Sequence, residues 1–135
     1  MKYKIQEIEG IGPMYGSKLE AVGIKTTDDL LEKCSNPRGR KEIAEKTGLQ
    51  EAQVLKWANM ADLMRISGVG EEFSELLEAA GVDTVKELKQ RNPEHLAARM
   101  KEVNDAKKLT RAVPGVKRVT GWVEQAKSLP PKLTY

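Results

Sequence analysis

The chain has 135 residues, of which 39% are hydrophobic, and a net charge of +3 at pH 7. This length suits one ordinary core or two small fused cores, and the charge is too small for a dedicated histone-like binder. No run approaches the roughly 20 apolar residues that span a membrane, and no signal-peptide core follows Met1. We therefore expect a cytoplasmic protein without a membrane partner, and the single Cys34 fits a reducing compartment.

The first predicted element is a glycine turn that leads into a helix. Gly10 and Gly12 flank one aliphatic residue, Ile11, and glycine enters positive-φ conformations at little cost. Pro13 suits the start of a helix, and Gly23 is typical of a left-handed helix cap. The pattern predicts a sharp turn at 10–12 and a short helix after it.

Short helices with clear start signals follow. Thr26 precedes a pair of aspartates, and Asn36 precedes Pro37, so each of these polar residues is expected to cap a helix. Thr47-Gly48 is expected to end the helix that starts near Pro37. A longer helix is predicted over 50–65, with apolar residues at helical spacing: Val54, Trp57, Ala58, Ala61 and Met64.

The sequence then repeats itself. Gly10-Ile11-Gly12 recurs 58 residues later as Gly68-Val69-Gly70, and the residues after both turns match at the same offset without a gap. The matching pairs include Tyr15 with Phe73, Leu19 with Leu77, and Gly23 with Gly81. Repetition of this kind indicates that each unit buries its apolar face partly against the other.

The second half ends in a helix that corresponds to the long helix of the first half. This helix is predicted over about 116–129 and is stopped by Pro130-Pro131. Its Trp122 corresponds to Trp57, so we expect both tryptophans to be buried. No segment alternates like a strand, apart from a weak possibility at 3–5, and the sequence therefore predicts an all-α protein.

Two repeats packed as one compact unit are the predicted domain organisation. The boundary falls near Arg65, which gives repeats of residues 1–65 and 66–135. Because this boundary is predicted to lie inside a continuous helix rather than in a flexible linker, the halves are not expected to move freely.

The turns and the apolar residues around them resemble the helix-hairpin-helix motif. The residues that carry this resemblance are Ile5, Ile8, Gly10, Ile11, Gly12, Gly16 and Leu19, and in the second half Leu63, Ile66, Gly68, Val69, Gly70, Ser74 and Leu77. In that family, backbone N–H groups of the hairpin bind a phosphate of the nucleic-acid backbone, usually of DNA and without reading the bases. The resemblance implies an all-α fold of two helix-hairpin-helix units of the SAM-like kind.

Nearly the whole chain also resembles a bacterial group known as domain of unknown function 4332. This resemblance rests on the hairpins together with Thr47-Gly48-Leu49 and residues 58–63. It implies a fold and no activity. Residues 45–56 are in addition similar to the small helical N-terminal domains of archaeal RecA-like recombinases, which bind DNA through such hairpins.

The two predicted hairpins differ in charge. Where the first has Pro13 and Met14, the second has Glu71 and Glu72. A helix N-terminus offers about half a positive charge to a phosphate, and two glutamates already occupy that field. We expect the first hairpin to accept an anion and the second to be structural or protein-binding, although stabilisation of a helix start also explains the glutamates. The second hairpin comprises Gly68, Val69, Gly70, Glu71 and Glu72.

Basic residues are unevenly distributed along the chain. Residues 66–98 carry three bases and seven acids, net −4, whereas residues 99–135 carry nine bases and three acids, net +6. Lys and Arg that neutralise phosphates release counterions and so are candidate contacts. The predicted nucleic-acid contacts are Gly10, Ile11, Gly12, Pro13, Met14, Lys18, Lys25, Arg38, Arg40 and Lys41.

A second basic cluster lies near the C-terminal end. It comprises Arg99, Lys101, Lys107, Lys108, Arg111, Lys117 and Arg118. A solvated face is the plain alternative for both clusters. This alternative is favoured for the C-terminal cluster, because Glu102 and Asp105 interrupt it. For the first cluster, a solvated face and phosphate contact are equally good explanations. For the first hairpin, a purely structural turn with a solvated Lys18 is likewise as good an explanation as anion binding.

The sequence offers no set of residues for an active site. His95 is the only histidine and Cys34 the only cysteine, so a zinc site and a Cys–His nucleophile pair both lack their parts. No GxxxxGK[ST] phosphate loop is present. We therefore expect no catalysis, no metal and no cofactor.

Together these features favour a non-catalytic module that binds a nucleic-acid backbone without sequence preference. DNA is favoured over RNA as the partner, through the first hairpin. The alternative is an adaptor that docks another protein on the same scaffold, which the small net charge and the acidic second hairpin keep open. The oligomeric state is not indicated by the sequence.

Overall fold

The computed structural model of the protein describes residues 3–135, and its regular structure is helical throughout this range. Within it, a 3-10 helix (Ile5–Glu7) is followed by α1 (Gly12–Glu20), α2 (Thr27–Lys33), α3 (Pro37–Thr47), α4 (Glu51–Leu63), α5 (Glu71–Ala79), α6 (Val85–Leu88), α7 (Pro93–Lys107) and α8 (Val116–Lys127). The weak possibility of a strand at 3–5 is limited to an isolated bridge between Lys4 and Thr26. The all-α prediction is therefore confirmed. None of the helices in the described range is long and apolar enough to cross a membrane.

Polar side chains cap the helices at the predicted positions. The Thr26 hydroxyl accepts a hydrogen bond from the Asp29 amide, 3.2 Å away, at the start of α2. Asn36 does the same for α3, where its Oδ1 lies 2.8 Å from the Gly39 nitrogen. Such caps satisfy N–H groups that have no partner within the helix. The capping signals in the sequence therefore predicted the starts of α2 and α3 correctly.

The junction between the halves differs from the prediction of a continuous helix. α4 ends at Leu63, and the chain then turns through residues 64–70 before α5 begins. Short-range bonds tighten this end, because the amides of Arg65 and Ile66 donate to carbonyls three residues back at 3.2 and 3.1 Å. The predicted helix over about 50–65 thus extends one residue too far at its start and two at its end, and the placement of the junction inside a helix is wrong.

The apolar residues form two clusters. One runs from Ile5 to Met64 and includes Trp57, and the other runs from Leu63 to Ala126 and includes Trp122. Each tryptophan is only 3% exposed, as predicted. The clusters meet at the end of α4, close to the predicted boundary at residue 65, and the division into two domains stays a prediction.

The C-terminal segment 130–135 returns to the first half of the chain. Leu133 is buried in the first apolar cluster. The Thr134 amide donates to the Ser35 carbonyl at 2.8 Å, and the Tyr135 hydroxyl donates to Asn59 Oδ1 at 2.7 Å. The halves are therefore connected through this segment as well as through the turn after α4.

Candidate nucleic-acid interface

The first glycine turn is built around one buried side chain. Gly10 and Gly12 have φ values of +91° and +60°, a region that favours glycine. Between them Ile11 is 1% exposed, and its amide donates to the Ile8 carbonyl at 3.1 Å. Ile11 therefore anchors the turn from inside, while the two glycines are exposed to solvent.

An aromatic pair lies behind each turn. Tyr15 and Trp57 have ring centroids 5.4 Å apart at an interplanar angle of 53°, and Phe73 and Trp122 are 5.3 Å apart at 54°. The two pairs occupy matching positions and have nearly the same geometry, which agrees with the repeat in the sequence. Superposition of the complete halves stays a prediction.

The turns differ at their second glycine. Gly70 has φ −102° where Gly12 has φ +60°, and α5 starts at Glu71 whereas α1 starts at Gly12. The first N–H groups of a helix lack partners within it. In α1 these groups have no carboxylate among the side chains of the first turn, whereas in α5 they lie beside two glutamates. Only the first glycine turn therefore leads into a helix that has no carboxylate in its first turn to compensate the positive N-terminal end.

An open groove lies beside the first turn. Its basic side chains are Lys18 of α1 and Lys56 of α4, and no acidic residue lines it. The remaining lining residues are Met14, Tyr15, Gly48, Leu49, Gln50, Ala52 and Gln53. Lys56 was missed by the sequence reasoning, because its place in the groove depends on how α4 packs and no local pattern marks it. The groove is thus lined by two positive charges and no negative one.

The structure does not bring all the predicted cations to this groove. Lys25 lines a separate hollow together with Lys4 and two acids, Glu7 and Glu20. Arg38 and Lys41 are exposed on α3 and line neither hollow. Of the predicted basic contacts, Lys18 alone lies at the groove.

Arg40 is removed from the set of candidate phosphate contacts. It is only 5% exposed, and its guanidinium donates to the Cys34 carbonyl at 3.0 Å and to the Thr134 carbonyl at 2.7 Å. The guanidinium also lies 5.6 Å from the centroid of the Tyr135 ring. The prediction failed here because a run of basic residues at the start of a helix does not show which of them faces inward.

An acidic face extends from the first half to the second turn. Burial raises the pKa of Glu71, and the carboxylates of Glu9, Glu72 and Glu7 raise it further. Burial and Glu9 likewise raise the pKa of Glu75, against the opposing effect of Lys56. Carboxylates crowded in this way repel one another and would repel a phosphate.

The fold and these turns define a class: a small all-α protein with two glycine turns on similar scaffolds, of which only the second leads into a helix with acidic residues in its first turn. Residues 9–129 match the family model described as domain of unknown function (DUF4332). The chain belongs to this family, as its sequence resemblance indicated. No match to the chain was found among curated proteins or among solved structures.

Proposed function

We propose that this protein is a non-catalytic module that binds a nucleic-acid backbone without sequence preference, with DNA as the favoured partner. On this proposal the first glycine turn is the hairpin of a helix-hairpin-helix motif, and a phosphate lies at the N-terminus of α1. Lys18 and Lys56 of the groove contact neighbouring phosphates. Backbone contacts of this type carry affinity but no sequence information.

The observation that supports this function best is the charge of the groove. Two lysines and no acid line it, and the adjoining helix start has no carboxylate in its first turn. A helix N-terminus attracts anions through its unpaired N–H groups and its dipole. The matching position in the second half carries Glu71 and Glu72, so the two turns form an internal comparison.

The proposal is tested by a titration of labelled double-stranded, single-stranded and branched DNA at two salt concentrations. We expect Lys18→Glu and Lys56→Glu to weaken binding by about tenfold each, because each change removes one favourable contact and adds a repulsive charge. Lys127→Glu is the matched control, since Lys127 is exposed at the end of α8, away from the groove. If all three variants bind DNA with the affinity of the parent protein, the groove is not the binding site.

A protein-docking role is the second candidate, and the acidic face favours it. The carboxylate of Glu9, from the first half, raises the pKa of Glu71 and of Glu75, from the second half, in addition to the effect of burial. A basic partner would relieve this repulsion. Absence of nucleic-acid binding by the parent protein at 50 mM salt would move this role to first place.

A further inference from the structure

The end of α7, the start of α8 and the loop between them together carry a dense group of cations. From Ala106 to Val123 the sequence contains five bases and no acid. The nearest acids along the chain are already engaged, since Asp105 pairs with Lys101 at 3.1 Å and Glu124 pairs with Lys127 at 3.0 Å. We call Lys107, Lys108, Arg111, Lys117 and Arg118 the loop patch. All five are exposed, and within residues 3–135 none of them forms an ion pair within 4.0 Å.

The loop is longer than its counterpart in the first half. Leu49 and Trp57 are eight positions apart, whereas Leu109 and Trp122 are 13 positions apart. The extra length contains Arg111. In repeat proteins an insertion in one repeat maps to a loop on one face, which is often the binding face.

Buried hydrogen bonds hold this loop in one conformation. Asn104 of α7 donates through its amide to the Thr110 carbonyl at 3.1 Å and accepts from the Thr110 amide at 2.9 Å. The Thr110 hydroxyl in turn donates to the Ala112 carbonyl at 2.7 Å. Both Asn104 and Thr110 are buried. A basic loop that served only solubility would not need this fixation, and fixation lowers the entropy lost on binding.

Two of the cations occupy positions that cost stability, Lys108 through its backbone conformation and Arg118 through its charge. Lys108 has φ +53° at the end of α7, and it is the one non-glycine residue with positive φ in the described range, whereas Gly48 has this role after α3. Arg118 lies in the first turn of α8, where a positive charge opposes the helix dipole. Its guanidinium stacks on Phe73 at 4.8 Å from the ring centroid, which fixes its position. Residues that cost stability in this way point to a function.

From these observations we propose that the loop patch is a second nucleic-acid contact surface, which binds consecutive phosphates of the backbone. This inference rests on the proposed function but uses a different surface from the groove at α1. The start of α8 lines a hollow together with Ala97 and Ala98 of α7, and these alanines lie about ten residues before Lys108 at the end of that helix. Ten residues of helix span about 15 Å, so the patch extends over about this length along α7. Over this length duplex DNA presents about nine negative charges, so the elongated patch fits a line of phosphates better than one compact anion.

The partly exposed apolar residues of the loop do not suggest a membrane surface. Val113 and Val116 are 37% and 45% exposed. Both line the hollow against Ala97 and Ala98 of α7. Glu94 and Lys101 line the same hollow, so the two valines do not form a continuous apolar surface that could enter a bilayer.

The test compares charge variants in titrations of a labelled DNA duplex across a series of salt concentrations. The variant with Lys107, Lys108, Arg111 and Lys117 all changed to Gln should lose at least about tenfold in affinity at 50 mM salt. The slope of log affinity against log salt should become shallower by about 3 to 4. Lys127→Gln, about 15 Å away at the other end of α8, should match the parent.

A single substitution separates binding from folding. Lys108→Gly removes one charge and also relieves the left-handed backbone. It should raise the melting temperature by roughly 3–6 °C and weaken DNA binding by about threefold, with the slope reduced by about 0.9. A variant that is more stable and binds more weakly cannot owe its weaker binding to damage of the fold.

The outcomes separate this inference from the proposed function. Loss of affinity in the quadruple variant and in Lys108→Gly supports the loop patch. Parental affinity in both, with weaker binding by Lys18→Glu, overturns the loop patch and leaves the proposed function standing. A parent protein that binds no nucleic acid at 50 mM salt, or binds only vesicles of anionic lipid, overturns both.

Discussion

At the scale of single residues, burial decides which charged groups can take part in binding. Lys18 and Arg40 are both basic residues on short helices, yet Lys18 is exposed and Arg40 is only 5% exposed. Arg40 connects the end of α2 to the C-terminal segment by its two hydrogen bonds to carbonyls. A basic residue can therefore be essential for the fold while making no contact with a ligand.

Arg40→Gln tests this distinction. The change leaves one buried and one partly buried carbonyl without their charged donor and should lower the free energy of unfolding by about 2–3 kcal/mol. The affinity of the folded fraction for DNA should stay within twofold of the parent. Urea unfolding gives the first quantity, and a DNA titration at matched helicity gives the second. A tenfold loss of affinity in a stably folded variant would return Arg40 to the binding site.

The crowded carboxylates predict a dependence of stability on pH. Because the pKa of Glu75 is higher in the folded protein, the folded state binds more protons above pH 4.5, and this contribution to stability is lost as the pH rises through the folded pKa. Glu75→Gln removes that loss. Because solvent screens this partly exposed carboxylate, we expect the variant to be more stable than the parent at pH 7 by at most about 0.5 kcal/mol and equal to it near pH 3. Thermal unfolding at both pH values measures this, and a variant less stable than the parent at pH 7 would contradict the assignment.

At the scale of the elements, the glycine turns are fixed by what lies behind them. A Cβ added at Gly68 would lie 3.3 Å from Trp122 Nε1, and one added at Gly10 would lie 3.8 Å from Trp57 Nε1. Both glycines have φ values above +90°. The turns are therefore limited to glycine by the backbone in both halves and by close packing mainly in the second.

Substitution of these glycines by alanine should show the difference. Gly10→Ala is expected to cost about 1–2 kcal/mol from backbone strain alone. Gly68→Ala should cost more, because the tryptophan must also move. Chemical denaturation of both variants gives the comparison, with Gly121→Ala in α8 as a control in which the added Cβ meets open space. A smaller loss at Gly68 than at Gly10 would show that the tight contact is not limiting.

Most of the elements could be predicted from local signals in the sequence. The caps at Thr26 and Asn36, the end of α3 at Gly48 and the buried tryptophans follow from short patterns that the structure confirms. The end of α4 could not be predicted, because the helical spacing of apolar residues continues to Met64 while the backbone already turns. Of the residues that line the groove, only Met14 and Lys18 were among the predicted contacts. Lys18 is adjacent to the turn in sequence, whereas Lys56 reaches the groove through packing.

At the scale of the whole molecule, a buried ion pair stabilises the junction of the halves. Asp62 is 1% exposed, and its Oδ1 lies 2.7 Å from Arg65 Nη2. Its Oδ2 accepts a hydrogen bond from the Val85 amide at 2.9 Å, which fixes the start of α6. Arg65 also donates to the Pro130 carbonyl at 2.9 Å, where the C-terminal segment begins its return. One pair thus joins α4, α6 and the C-terminal segment.

Asp62→Ala should therefore be strongly destabilising. It leaves a mostly buried guanidinium without its partner, and removal of one member of a buried pair costs about 3–5 kcal/mol. We expect the double variant Asp62→Ala with Arg65→Met to recover part of this loss, because no unpaired charge remains. Equilibrium unfolding of both variants checks the prediction. A loss below about 1 kcal/mol for Asp62→Ala would show that the junction does not depend on the pair.

The most direct test of the central claim is the salt dependence of DNA binding by the parent protein. We predict that log affinity for a short duplex falls linearly with log salt, with a slope of about −0.9 for each phosphate contact, and that two duplexes of unrelated sequence give the same line. A line independent of salt, a strong difference between the two sequences, or no binding at 50 mM salt would contradict the claim that this protein binds the nucleic-acid backbone.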